Sequence, residues 1–125
     1  MSKTLTIRIK PAGEVLEDFR QAFEAVQAGR RVTPREGVYF SSIEAVRNFL
    51  TRERLALLRA IRTSHPGSIY ELAKIVNRDI KNVQGDVKLL RRHGLVRLSE
   101  NRRGPKSKVK VPEAPFDEIA LRITI

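Results

Sequence analysis

The chain has no cysteine and no tryptophan, a single methionine, five phenylalanines and two tyrosines in 125 residues. Without cysteine there can be no disulfide, no thiolate zinc site and no cysteine nucleophile. That absence fits a reducing compartment, and the expected location is the cytoplasm. No window approaches the roughly 20 apolar residues that a membrane span requires. The opening residues Met1-Ser2-Lys3-Thr4-Leu5 carry no apolar run of the secretory type. Only two histidines exist, His65 and His93, and neither has a partner at metal-ligand spacing. Asp117 and Glu118 are adjacent, so on a strand they would face opposite sides and make a poor acid/base pair. The seven glycines are scattered and build no phosphate-cradling loop. With no nucleophile, base, metal or cofactor constellation, no enzymatic activity and no cofactor are expected.

What is abundant is positive charge. The net charge is +11, and it is unevenly spread. Residues 1–50 carry eight Lys/Arg against six Asp/Glu, residues 51–112 sixteen against five, and residues 113–125 one against three. The whole excess therefore lies in the middle segment. Such a concentration is the footprint of polyanion binding. The scarcity of aromatics leaves no stacking platform beside it, which argues against single-stranded RNA.

A chain of this length reads as one domain. Thr4 to Lys10 alternates, with Leu5, Ile7 and Ile9 on one face, as a half-buried strand does. Pro11, Ala12 and Gly13 break it. A helix over about 14–28 follows, with Val15, Leu16, Phe19, Ala22, Phe23 and Val26 as its apolar stripe and Gly29 as its stop. Residues 30–40 read as a loop in which Val38-Tyr39-Phe40 can form a short strand. Ser41 and Glu44 have capping-box spacing, ahead of a helix with Ile43, Val46, Phe49 and Leu50 inward. Thr51 can cap the next helix, with Leu55, Leu58 and Ile61 inward. His65-Pro66-Gly67 ends it.

The segment Ser68 to Leu90 carries the chemistry. Ser68 and Glu71 make a second capping box, and Ile69, Leu72, Ala73 and Val76 face inward. Asn77 tolerates the left-handed backbone of a tight turn. Asp79 is placed to cap a new helix over 79–93, with Ile80, Val83, Val87 and Leu90 inward and Gly94 at its end. Two helices joined by so short a turn, the second presenting polar donors, form the helix-turn-helix pattern. Val96-Arg97-Leu98 and Lys108-Val109-Lys110-Val111 then alternate around a basic turn, Glu100 to Ser107. This predicts a hairpin over 96–111 whose tip carries Arg102, Arg103 and Lys106, the pattern of a DNA-binding wing. Long cations there can reach phosphates or the minor groove.

Residues 51–112 resemble the winged helix-turn-helix of MarR-like prokaryotic transcription regulators. The resemblance rests on Ser68-x-x-Glu71-Leu72-Ala73, on Asp79-x-x-Asn82-Val83-x-x-Asp86-Val87-x-x-Leu90 and on His93-Gly94-Leu95-Val96. The whole chain also resembles a small archaeal and bacterial family of DNA-binding regulators, some of them antitoxins encoded beside toxin genes. Its ends share an N-terminal strand and helix and the Asp117-Glu118-Ile119 strand. Gly85 departs from the pattern, since relatives often carry Arg or another long polar residue there. Either it lets the helix approach DNA closely or one base contact is missing.

The expected DNA-contacting residues are Ser68, Arg78, Lys81, Asn82, Gln84, Gly85, Lys88, Arg92, Arg102, Arg103 and Lys106. Asn82 and Gln84 can read adenine, lysines guanine or phosphate, and Arg78, at the turn, suits a phosphate. Tyr70 is expected to pack near the first helix of the motif. Residues 119–125 form a further amphipathic strand, with Ile119, Leu121, Ile123 and Ile125 on one face. The terminal strands, packed under the 14–28 helix or paired between two copies, would give a dimerisation layer. The expectation is a mostly helical α+β chain. Residues 1–50 form a dimerisation or partner-binding segment, 51–112 the winged motif, and 113–125 a strand packing with the N-terminal one. The partners implied are double-stranded DNA, a second copy and, in the antitoxin reading, a toxin protein. No membrane partner is expected.

Overall fold

In the computed structural model the described residues are 3–10, 12–29, 38–102 and 108–125. They form a mixed α/β chain in the order β1 (Thr4–Ile9), α1 (Ala12–Gln27), β2 (Val38–Phe40), α2 (Ile43–Phe49), α3 (Arg52–Ser64), α4 (Ile69–Val76), α5 (Ile80–Arg92), β3 (Arg97–Arg102), β4 (Lys108–Glu113) and β5 (Glu118–Ile123).

The terminal strands meet in one chain. β1 is central in a sheet of order β2-β1-β5, and both of its pairings are parallel. Leu5 lies beside Ile119, and Ile7 beside both Val38 and Leu121, so the alternation seen in the sequence becomes one apolar face. Leu5, Ile7 and Ile9 are buried on it, with Val46 of α2 packed against Ile7 and Ile9. An exchange of strands between copies is not needed to pair the two ends.

The helices share a second apolar cluster, built from Phe49, Leu57, Ile61, Leu72, Ala73, Val83, Val87, Leu90, Leu95 and Val96, which Leu5 of the sheet joins. On α3 the buried residues are Leu57 and Ile61, while Leu55 and Leu58, expected inward, are half-buried. A repeat of 3.6 residues brings positions 57 and 61 under one another, which an unbroken spacing of three misses. Arg62 of α3 donates to the carbonyls of Ala114 and Phe116 and pairs with Asp117. Asp117 in turn accepts from the Lys3 backbone N–H at 3.0 Å. The loop into β5 is thereby fastened to a helix and to the start of β1. Between them lies a half-open cleft of about 300 Å³, lined by Leu5, Leu55, Leu58, Leu95, Phe116 and Ile119 among others.

The caps show where local chemistry decides. Ser42, not Ser41, starts α2, its hydroxyl accepting from the Ala45 N–H at 3.1 Å. With Ser42 as the cap, Glu44 stands at the second helical position rather than the third, so the capping-box spacing from Ser41 is not used. Thr51 caps α3 as expected, accepting from the Arg54 N–H.

α1 begins at Ala12, so Gly13 lies inside it. Of its stripe, Leu16, Phe19 and Phe23 are 70%, 72% and 55% exposed and Ala22 is half-buried, while the side chains of Val15 and Val26 lie outside the described residues. The expectation that the sheet packs under this helix fails, because the buried face of β1 is occupied by α2 and the α3–α5 cluster instead.

Candidate nucleic-acid interface

α4 and α5 are joined by Asn77-Arg78-Asp79. Ser68 accepts from the Glu71 N–H at 3.0 Å, and the Glu71 carboxylate accepts from the Gly67 N–H at 2.9 Å. The box is reciprocal, but it closes on Gly67 rather than on Ser68 itself. Asn77 takes φ 55° and ψ 51°, the left-handed conformation expected of it. The Arg78 N–H then reaches back to the Ala73 carbonyl at 3.0 Å. This ends α4 within two residues and lets α5 start in a new direction.

Asp79 is at the expected N-cap position, but its side chain makes no cap hydrogen bond. Its backbone carbonyl accepts from Val83 N–H, and its carboxylate is left exposed. Arg78 also departs from expectation. Instead of projecting outward, its Nη2 lies 2.8 Å from Asp86 Oδ2 and its side chain is 27% exposed. Asp86 takes a second cation from the other side, Arg54 Nε at 3.1 Å from Oδ1. Arg54 Nη1 donates to the carbonyls of Asn48 and Phe49, both at 2.9 Å. One arginine of α3 thus holds the end of α2 and the middle of α5.

The electrostatic result matters for the outer face. Asp86 is the only acid within α5, and it is turned in and paired twice. What remains outward is cationic or neutral. Lys81, Gly85, Lys88 and Arg92, at spacings of four, three and four, make a stripe along the side opposite the buried Val83, Val87 and Leu90. Gln84 and Arg91 lie along one flank of the stripe and Asn82 along the other, all exposed. Arg91 is a candidate missed in the sequence, although its position three residues after Lys88 gives it the same side of the helix. Gly85, in the middle of the stripe, faces open space, with nothing within 4 Å of where a side chain would begin.

Around the turn, Tyr70 is 58% exposed and not packed as expected; the Lys74 ammonium lies 4.6 Å from its ring centre. Both border a notch with Asn77, Arg78 and Asp79. At the far end of α5, His93 Nδ1 lies 3.1 Å from the Leu89 carbonyl. Its ring packs on Phe49 and Phe40, with centroids 4.4 and 5.7 Å away. It is a packing residue that joins α5 to β2 and α2. Gly94, at φ 82°, turns the chain out of the helix.

The hairpin expected over 96–111 is formed by β3 and β4, antiparallel and spanning Arg97–Glu113. Its base pairs opposite charges, Arg97 with Glu113 and Glu100 with Lys110, whereas its last described pair sets Arg102 opposite Lys108. Arg103 and Lys106 lie outside the described residues, as does the side chain of Arg102. Among the described residues no cluster of His, Asp or Glu could hold a metal, and no helix is long and apolar enough to cross a membrane.

Residues 49–121 match the model of the family described as HVO_A0114, and the chain belongs to that family. No curated protein matches it. Among solved structures, a protein titled "Possible transcriptional regulator" from Methanosarcina mazei Go1 is similar, at 17% identity and a TM-score of 0.49, over 62% of this chain and 68% of that one.

Proposed function

We propose that the protein is a cytoplasmic, sequence-specific double-stranded DNA-binding transcription regulator of the winged helix-turn-helix, MarR-like class. The observation that carries this reading is the outer face of α5: Lys81, Lys88, Arg91 and Arg92 with Asn82 and Gln84, its single acid, half-buried Asp86, turned off that face and paired with Arg54 and Arg78. An α-helix fits the major groove, where lysine and arginine recognise guanine or phosphate and asparagine and glutamine recognise adenine. α4 braces α5 from behind, with Ser68 at its N-terminus able to meet a phosphate. The β3–β4 hairpin is the wing, its Arg102, Arg103 and Lys106 lying on the backbone or the minor groove. Arg78 and Arg54 are positioning residues that fix the pose of α5 through Asp86. The protein acts as a homodimer on a near-palindromic site, because two copies related by a two-fold axis present two α5 helices.

Titrating a duplex from upstream of the coding region while following backbone amide resonances tests the reading. The shifts should concentrate in Lys81–Arg92 and in the hairpin. Shifts confined to the terminal sheet would overturn it.

A second reading, an antitoxin that binds a toxin protein and represses its own operon, is favoured by one observation. The apolar stripe of Leu16, Phe19 and Phe23 on α1 is uncovered, as a helix that docks in a partner's groove would be. Co-expression with the neighbouring gene product distinguishes it: a stable complex lost on Phe19→Glu supports it, and an unchanged complex rejects α1 as the contact.

A further inference from the structure

β5 forms one edge of the terminal sheet, and that edge is self-complementary. Glu118 N–H donates to the Lys3 carbonyl and Thr124 N–H to that of Ile9, both towards β1. In a parallel ladder the alternate residues point the other way, so the backbone groups of Ile119, Leu121 and Ile123 face outward from the sheet. β5 contains no proline and only two charged residues, Glu118 and Arg122. Leu121 and Ile123 remain 50% and 58% exposed, although their neighbours on β1, Ile7 and Ile9, are buried. An unblunted edge of this kind is a template for another strand.

We propose that this edge pairs antiparallel with the same edge of a second copy, about a two-fold axis at Ala120, giving a continuous six-stranded sheet. This rests on the homodimer reading above and names its surface. The charge order selects the register. Read from Glu118 to Arg122 the strand runs acid, apolar, small, apolar, base. Turned antiparallel about Ala120, Glu118 meets Arg122 of the second copy twice, and Ile119 meets Leu121 twice. The outward residues 119 and 121 then exchange backbone hydrogen bonds, on the order of four in all. Glu118 and Arg122 fall at non-hydrogen-bonded positions, where opposed side chains stand closest. A register shifted to centre on Leu121 would set Glu118 against Thr124 and Ala120 against Arg122, leaving both charges without a partner.

The chain itself shows the lack that this pairing fills. Arg122 lies beside Arg8 on the same face of the sheet, a like-charge neighbour pair. Among the described residues neither Arg122 nor Glu118 enters an ion pair, and Arg8 Nε is buried without a hydrogen-bond partner. The second copy's carboxylate arrives next to these two cations.

Charge exchange and crosslinking test it. By light scattering on eluted peaks, the wild type should have twice the 14.2 kDa chain mass. Glu118→Arg and Arg122→Glu, each placing like charges together twice, should both fall to the monomer mass, and the double exchange should restore the dimer. Because the chain has no cysteine, Ala120→Cys gives a single thiol. The proposed register sets its Cα about 4.5 Å from its copy, inside disulfide range, so mild oxidation should crosslink it completely, while Thr124→Cys should stay uncrosslinked. If all variants stay dimeric and Ala120→Cys does not crosslink, this edge is not the interface and the homodimer stands. If the wild type is a monomer at every concentration, the homodimer reading itself fails. Should the charge variants fail to fold, the crosslinking result decides alone.

Discussion

Arg54 and Asp86 lie 32 residues apart in sequence and 3.1 Å apart in space, and their contact fixes the helix that carries the candidate interface. Arg54 enters it already engaged with two carbonyls at the end of α2. Asp86 leaves it engaged with Arg78 at the turn. The three side chains bind α2, α3, the turn and α5 into one unit, and they take the only acid of α5 off its outer face.

Removing Asp86 should therefore cost stability. A fully buried pair broken on one side loses about 3–5 kcal/mol. These side chains are 15–27% exposed, so water screens part of that. Asp86→Ala should lose roughly 1–2 kcal/mol, seen as a lower midpoint in urea with an unchanged slope. A midpoint within error of the wild type would mean the pairing is incidental.

Gly85 decides between the two meanings its position allows. Nothing in the folded chain needs a glycine there: its backbone is in the ordinary helical region and a Cβ would meet open space. Gly85→Ala should thus raise stability by about 1 kcal/mol. The same change should weaken specific DNA binding about tenfold or more, because in the proposed pose Gly85 stands at the middle of the stripe turned to the groove. A stabilised variant with unchanged affinity would mean that the glycine marks a missing contact.

At the turn, Asn77→Ala should destabilise by about 1 kcal/mol, since alanine pays the full left-handed penalty, and Asn77→Gly should be close to neutral. Thermal melts distinguish the two. Equal losses for both would point to the asparagine side chain rather than to the backbone.

Within α5 the two kinds of polar residue should separate. Lys88→Ala should weaken binding to all duplexes alike and lower the salt slope by about one. Asn82→Ala should change the preference between sequences by about 1–3 kcal/mol with little effect on the slope. Competition binding at three salt concentrations reads both quantities.

The parts of this fold that were legible in the sequence are those set by neighbours. Ser68, Asn77 and the Val83-Val87-Leu90 spacing announce two helices and a turn, and each does what its chemistry allows. The alternation of residues 4–10 and 119–123 likewise announces strands. Contacts across long separations were not legible. Nothing near Arg54 signals Asp86, so the sequence assigns Arg78 to a phosphate and gives no sign of its pairing with Asp86. The stripe of α1 was visible as an amphipathic helix, but amphipathicity does not name the surface that receives it, and α2 took the place on the sheet. Asp79 looked like a cap because cap preference is statistical, while its backbone, at φ −59° and ψ 133°, carries the helix start without the side chain.

The proposed function requires α5 to read a DNA sequence. Fluorescence anisotropy with the upstream duplex and a scrambled duplex of equal length, over a series of salt concentrations, tests it most directly. A preference for the upstream duplex on the order of 10³ or more at physiological salt is expected, lost when Asn82 and Lys88 are both changed to Ala. Equal, weak and steeply salt-dependent binding to both duplexes would contradict it, leaving the positive face as an unspecific electrostatic surface.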